Sequence, residues 1–175
     1  MNETPGVDMS TGSLGQGVSA AAGMALAAKY QGKDCRIYTL LGDGEIEEGQ
    51  VWEAFMFAHH YKLDNLCVII DNNGLQIDGA VDKVMSPYPI PDKLKAFGFA
   101  VKEIDGHDFE QMESAFDEAR ATKGVPFAII MTTIKGKGVS FMEDVAGWHG
   151  KAPNDEEYKT AMDELKARLA EVEGM

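Results

Sequence analysis

The sequence predicts an α/β protein, an open parallel sheet flanked by helices, and three observations carry that reading. Four short apolar runs, at 36–41, 66–70, 99–104 and 127–132, have the length and composition of strands buried on both faces. Segments with helical spacing of apolar residues lie between them, as strand-helix-strand units require. The first two runs end in Gly42-Asp43-Gly44 and Asp71-Asn72-Asn73-Gly74, at the strand ends where open sheets of this class hold ligands.

Taken in order, residues 11–30 set Leu14, Val18, Met24 and Leu26 among Ala, Gly and Ser, which predicts a helix able to pack closely against its neighbours. Gly12, Gly15 and Gly17 sit at its entry. After the first strand, Val51, Trp52, Phe55 and Met56 give a second helix one apolar face, and that helix ends near His59-His60. Prolines in 85–91 mark a surface connection before a short helix at 92–97, and 109–122 supplies a helix between the last two strands. Tyr158, Met162, Leu165, Leu169 and Val172 recur at helical spacing and predict a terminal helix with one apolar face.

With 175 residues the chain can bury one sizeable core, so one domain over 1–175 is expected. A net charge of −13 excludes a general binder of nucleic acid or anionic membrane, which needs a cationic face. No run reaches the roughly 18 apolar residues of a membrane span, and the first ten residues lack a signal-peptide pattern, so a cytoplasmic location is expected. Cys35 and Cys67 border or enter strand-like runs and are expected to be ordinary buried thiols.

The two strand-end loops carry the chemistry. A diphosphate bridged by Mg²⁺ needs hard oxygen ligands, only a few of them from protein. Asp43 offers a carboxylate, Asn73 a neutral amide oxygen, and the backbone just beyond Asn73 a carbonyl. Gly42, Gly44 and Gly74 allow tight turns and close approach of backbone to ligand. Turn geometry alone selects the same residue types, so either loop in isolation is an ordinary turn. Together, with one strand-helix-strand unit filling the interval, they form a motif in its required context.

These residues resemble the thiamine-diphosphate motif, and the surrounding sequence narrows the resemblance to transketolase. It extends through Thr11-Gly12-Ser13-Leu14-Gly15-Gln16-Gly17, Glu48-Gly49, Trp52-Glu53-Ala54, Asn73-Gly74-Leu75-Gln76-Ile77-Asp78-Gly79, Lys135-Gly136-Lys137-Gly138 and Trp148-His149-Gly150-Lys151-Ala152-Pro153. The variety most similar is the amino-terminal subunit of two-subunit transketolases. The resemblance implies the thiamine-diphosphate-binding fold, with Asp43, Asn73 and the Leu75 carbonyl on Mg²⁺ and Gly44 beside the diphosphate. It further implies that Gly12, Ser13 and Leu14 line the cofactor, that Ile77 packs near the thiazolium, and that His149 reaches the diphosphate and the substrate side of the cleft. Glu48 and Glu53 match acids at the family's dimer interface, although the helix dipole alone also favours acids in first turns. His149 has the alternative of a packing or surface histidine, and Lys135, Lys137 and Lys151 are either a solvated loop or a local cationic patch for anionic ligands. His59, His60 and His107 are expected to be structural, and Trp52 to belong to the core.

By the same resemblance, the glutamate that activates the aminopyrimidine belongs to a pyrimidine-binding domain on another polypeptide, so a homo- or hetero-oligomer acting on sugar phosphates is implied. The family's first domain begins about 100 residues further upstream, so an amino-terminally incomplete domain is expected. Two functional readings follow: a subunit of an enzyme that transfers a two-carbon ketol unit from a ketose phosphate to an aldose phosphate, or a non-catalytic or truncated cofactor-binding module. A related thiamine-diphosphate enzyme with another donor is a variant of the first.

Overall fold

A computed structural model describes residues 4–174. Its main sheet has four parallel strands, β1 (Ile37–Gly42), β2 (Leu66–Asn72), β5 (Ala100–Asp105) and β6 (Phe127–Thr132), in the order β1-β2-β6-β5. The helices are α1 (Gln16–Tyr30), α2 (Gly49–His60), α3 (Val81–Val84), α4 (Ile90–Ala96), α5 (Phe109–Ala121) and α6 (Asp155–Glu173), and a small antiparallel hairpin pairs β3 (Leu75–Gln76) with β4 (Gly79–Ala80).

The two central strands explain why their sequences read as unbroken apolar runs. Leu66, Val68 and Ile70 of β2, with Ala128 and Ile130 of β6, join the core shared with α1, α2 and α4. Their neighbours Cys67, Ile69, Phe127 and Ile129 face α5 instead and pack with Ala115 and Ala119. Side chains alternate across a strand, so burial on both faces makes every position apolar. Phe55 anchors the larger core, edge-on to Phe99 at 5.1 Å and to Trp52 at 5.5 Å, and the Trp52 indole N–H donates to the Ile46 carbonyl at 2.8 Å. Trp52 is thus a core residue, as expected.

Several boundaries and burials differ from the sequence expectation. The first helix starts at Gln16 rather than at residue 11, because Gly15 takes a left-handed conformation (φ 77°) that interrupts the helix and leaves 11–15 as a loop. The short helix starts at Ile90, two residues early, since Pro91 is compatible with a first turn. The terminal helix forms behind an Asn154 capping box with Glu157, yet Tyr158, Leu165, Leu169 and Val172 of its apolar face are exposed and only Ala161 is buried. Cys67 is buried, but Cys35 lies on the surface ahead of β1, contrary to expectation.

On the face where α5 packs, cover spans β5, β6 and β2 but reaches only the start of the edge strand β1. Tyr38 touches Phe116 edge-on at 5.8 Å, while Leu40 remains 66% exposed. A groove of about 520 Å³ runs there, with Val7, Leu14, Met24, Tyr38 and Leu40 among its walls.

Candidate active site

Because β1 and β2 pair in parallel with Gly42 opposite Asp71, their following loops leave the sheet side by side. The Asp43 backbone N–H donates to the Asp71 carbonyl at 3.1 Å and carries the ladder one residue further. The Asp43 side chain then ties both loops together: Oδ1 accepts the Gly44 N–H at 2.9 Å and Oδ2 the Gly74 N–H at 2.5 Å. It is 1% exposed and enters none of the ion pairs among the described residues. Burial pushes this carboxyl above its ordinary range; the two N–H donors counter that, and the Asp71 carboxylate adds to it.

Asn73 shapes the second loop. Its Oδ1 accepts the Leu75 N–H at 3.0 Å, a side-chain turn that carries the chain through Gly74 (φ 75°) into the β3–β4 hairpin. Ile77 stands at the hairpin tip, 68% exposed. The hairpin folds back on Gly44, where an added Cβ would lie 2.9 Å from Gln76 Oε1 and 3.0 Å from Gln76 Cβ, so that only glycine leaves the contact undisturbed. A carboxylate, an amide oxygen and a backbone carbonyl are thereby set on two adjoining loops. That donor set is all hard oxygen, and no group of three or more His, Cys, Asp or Glu that could hold a metal ion occurs among the described residues. Such a set suits a Mg²⁺ that takes its other ligands from phosphate and water, and does not suit zinc.

Residues 12–14 form an exposed stretch that the fold brings beside Gly42 through Glu45, which accepts the Gly15 N–H at 2.9 Å and the Gly42 N–H at 3.2 Å. Sequence reading missed Glu45; its only local signal was an acid placed directly after Gly44. It also missed Glu47 and Gln76, whose Oε1 and Nε2 are shut off from solvent and make no well-formed hydrogen bond among the described residues, although the two side chains lie beside each other. Burial pushes the Glu47 carboxyl up, the Gln76 amide offsets part of that, and the Asp43 and Glu48 charges add to it. Asp71, also missed, accepts the Thr133 hydroxyl.

Glu48 and Glu53 are exposed and make no ion pair among the described residues. Glu48 stands at the N-cap of α2 without a capping side-chain bond, and α2 has no acid in its first turn, so the helix dipole does not account for Glu53. His149 is exposed and follows a 3-10 turn (Ala146–Trp148) that lies against β4 of the hairpin; its backbone N–H donates to the Ala146 carbonyl at 2.9 Å. Two of the three loop lysines are engaged. Lys151 pairs with Glu157 at 2.9 Å and covers the Trp148 ring at 4.2 Å, and Lys137 stands 4.0 Å from Glu143. His107 Nε2 accepts the Ile134 N–H at 2.8 Å, and His59 Nδ1 lies 3.2 Å from the Gly98 carbonyl, both of them backbone anchors.

A model of the family described as "Transketolase, thiamine diphosphate binding domain" matches residues 1–169. The chain belongs to that family. Among its transketolase relatives, the 6-deoxy-6-sulfo-D-fructose transketolase subunit SqwG of Clostridium sp. (strain MSTE9) is 46% identical over 166 residues, which cover 95% of this chain and 60% of the relative. An apulose-4-phosphate transketolase subunit of Phocaeicola vulgatus is 44% identical over 171 residues, covering 98% of this chain and 61% of that protein. The chain thus spans about 60% of the length of these curated relatives. A transketolase structure from Campylobacter jejuni superposes with a TM-score of 0.86 at 36% identity, over 92% of this chain and 26% of that one. The parallel sheet with its flanking helices is therefore the transketolase cofactor-binding fold. No helix among the described residues is long and apolar enough to cross a membrane.

Proposed function

We propose that the chain is the cofactor-binding subunit of a two-subunit transketolase and holds the diphosphate end of thiamine diphosphate through Mg²⁺. The observation that carries this reading is the buried Asp43 carboxylate, outside every ion pair among the described residues, which joins two loops whose remaining donors are the Asn73 amide oxygen and the Leu75 carbonyl. Asp43, Asn73 and Leu75 hold the metal, and Gly44, lacking a Cβ, lets the diphosphate approach the backbone. Gly12, Ser13 and Leu14 line the cofactor, Ile77 packs near its thiazolium, and His149 meets the diphosphate and substrate from the turn beside the hairpin. When bound, the cofactor supplies the nucleophilic carbon that carries a two-carbon ketol unit from one sugar to another.

Glu48 and Glu53, exposed and outside every ion pair among the described residues, lie at the interface with a second subunit, which contributes the pyrimidine-binding domain and its activating carboxylate. The curated relatives are named for a sulfonated ketose and a phosphorylated one, which supports a substrate class of ketoses and aldoses with an anionic end group. Such chemistry belongs to sugar-phosphate interconversion of the pentose-phosphate type, in a cytoplasmic oligomer.

The test combines the purified chain with a candidate pyrimidine-binding subunit, thiamine diphosphate, Mg²⁺, a ketose phosphate and an aldose phosphate, and follows ketol transfer. Transfer that requires both chains is expected. Cofactor binding without transfer in any pairing would reduce the chain to a binding module. Cofactor binding unchanged in Asp43→Ala would overturn the site itself.

A further inference from the structure

We propose that Glu45 is a positioning residue: its carboxylate clamps the 12–15 loop onto the Gly-Asp-Gly loop and so sets the affinity for the cofactor. Helix α1 opens at Gly15 with no side-chain cap and no acidic residue in its first turn. The missing negative charge arrives from elsewhere in the chain. Glu45 Oε1 accepts the Gly15 N–H at 2.9 Å, so a carboxylate 30 positions away caps this helix. Its other oxygen accepts the Gly42 N–H at 3.2 Å, at the last residue of β1. One side chain thereby holds the entry of α1 and the exit of β1 at a fixed separation.

The surroundings leave little freedom to that arrangement. A Cβ on Gly15 would stand 2.9 Å from Gln50 Nε2 and 3.0 Å from Glu48 Cβ, so the loop is pressed against the start of α2. Gln50 adds ties to the Leu14 carbonyl at 3.3 Å and to the Gln16 amide at 3.2 Å, but these neutral bonds are exposed, whereas those of Glu45 are charge-assisted and partly buried. Glu45 lines the same groove as Thr11 and Leu14. Losing its carboxylate frees residues 12–14 to move relative to Asp43 and Gly44 while the sheet stays intact. The inference rests on the reading that these two loops receive the cofactor.

Two measurements test it on the whole chain, with wild type, Glu45→Ala and Glu45→Gln compared. Amide hydrogen exchange should accelerate ~10-fold or more at Gly15 and Gly42 in Glu45→Ala, with β2 protection unchanged, and less in Glu45→Gln, which keeps one acceptor oxygen. Calorimetric titration with thiamine diphosphate and Mg²⁺ should show a dissociation constant raised ~10-fold in Glu45→Ala and less in Glu45→Gln. Should the alanine variant fail to fold, the glutamine variant decides alone. Unchanged exchange at both amides, or unchanged affinity despite faster exchange, overturns the proposal. Asp43→Ala in the same titration separates the two levels: if it binds like wild type, or if wild type shows no Mg²⁺-dependent binding, the cofactor reading falls and takes the affinity effect with it. If Asp43→Ala loses binding and the Glu45 variants keep it, only the role of Glu45 is refuted.

Discussion

The Asp43 carboxylate accepts the Gly74 N–H at 2.5 Å, so the loop after β1 holds the loop after β2. Asp43→Asn keeps the shape but turns an amide NH₂ toward one of two backbone donors and leaves that donor unsatisfied. We expect a loss of about 1–3 kcal/mol in stability from urea unfolding. Mg²⁺-dependent cofactor binding should vanish in the same variant.

Gly44→Ala separates stability from binding. The new methyl meets Gln76 Oε1 and Cβ, at the flexible end and the root of one side chain respectively, so the hairpin must shift slightly. A stability change of no more than about 1–3 kcal/mol is expected. Thermal unfolding with and without thiamine diphosphate and Mg²⁺ should show the wild-type ligand-induced rise in Tm largely lost in the variant.

Asp64 links acid stability to one identifiable contact. Burial alone would raise its carboxyl, but Lys29 at 2.6 Å, the Gly124 N–H at 2.8 Å and Lys123 outweigh burial and hold it below the usual carboxylate range. A depressed folded-state value contributes stability above the unfolded value of about 4, and that contribution fades as pH falls through the folded value. Asp64→Asn should therefore be less stable than wild type at pH 7, by about 1 kcal/mol given partial exposure of the pair. The gap should close below pH 4, as read from urea midpoints across pH 3–7.

The two thiols should behave differently. Burial pushes Cys67 up to about 12, so it holds almost no thiolate at neutral pH, while Cys35 is exposed. Alkylation of the native chain at pH 8 followed by intact mass should add one label rapidly. The second should appear only on denaturation, and Cys35→Ser should abolish the first.

Much of the fold was legible because its signals are local. Strands β2 and β6 are buried on both faces, so their sequences are continuous apolar runs, and the second ligand loop follows β2 directly. The Asn73 turn and the Asn154 cap likewise act over two or three residues. Glu45 was invisible for the opposite reason, since its partners are a backbone N–H 30 positions upstream and another three positions before it, and neither has a side-chain signature. Exposure of Cys35, Leu40 and the α6 face was equally hidden. Apolar periodicity says which residues share a face, and only tertiary packing says whether anything covers it.

The sheet order also bears on how the site comes into being. The ligand loops follow β1 and β2, and the inner neighbour of β2, strand β6, is reached only after the hairpin, two helices, strand β5 and α5 have been made: Cys67 pairs with Phe127. Closing so distant a pair is slow relative to the local β1-α2-β2 unit. The short contiguous stretch that carries Asp43 and Asn73 can form its turns early, yet its floor is laid last. Acquisition of cofactor affinity during refolding should thus lag the first helical signal and coincide with protection of the β2–β6 amides.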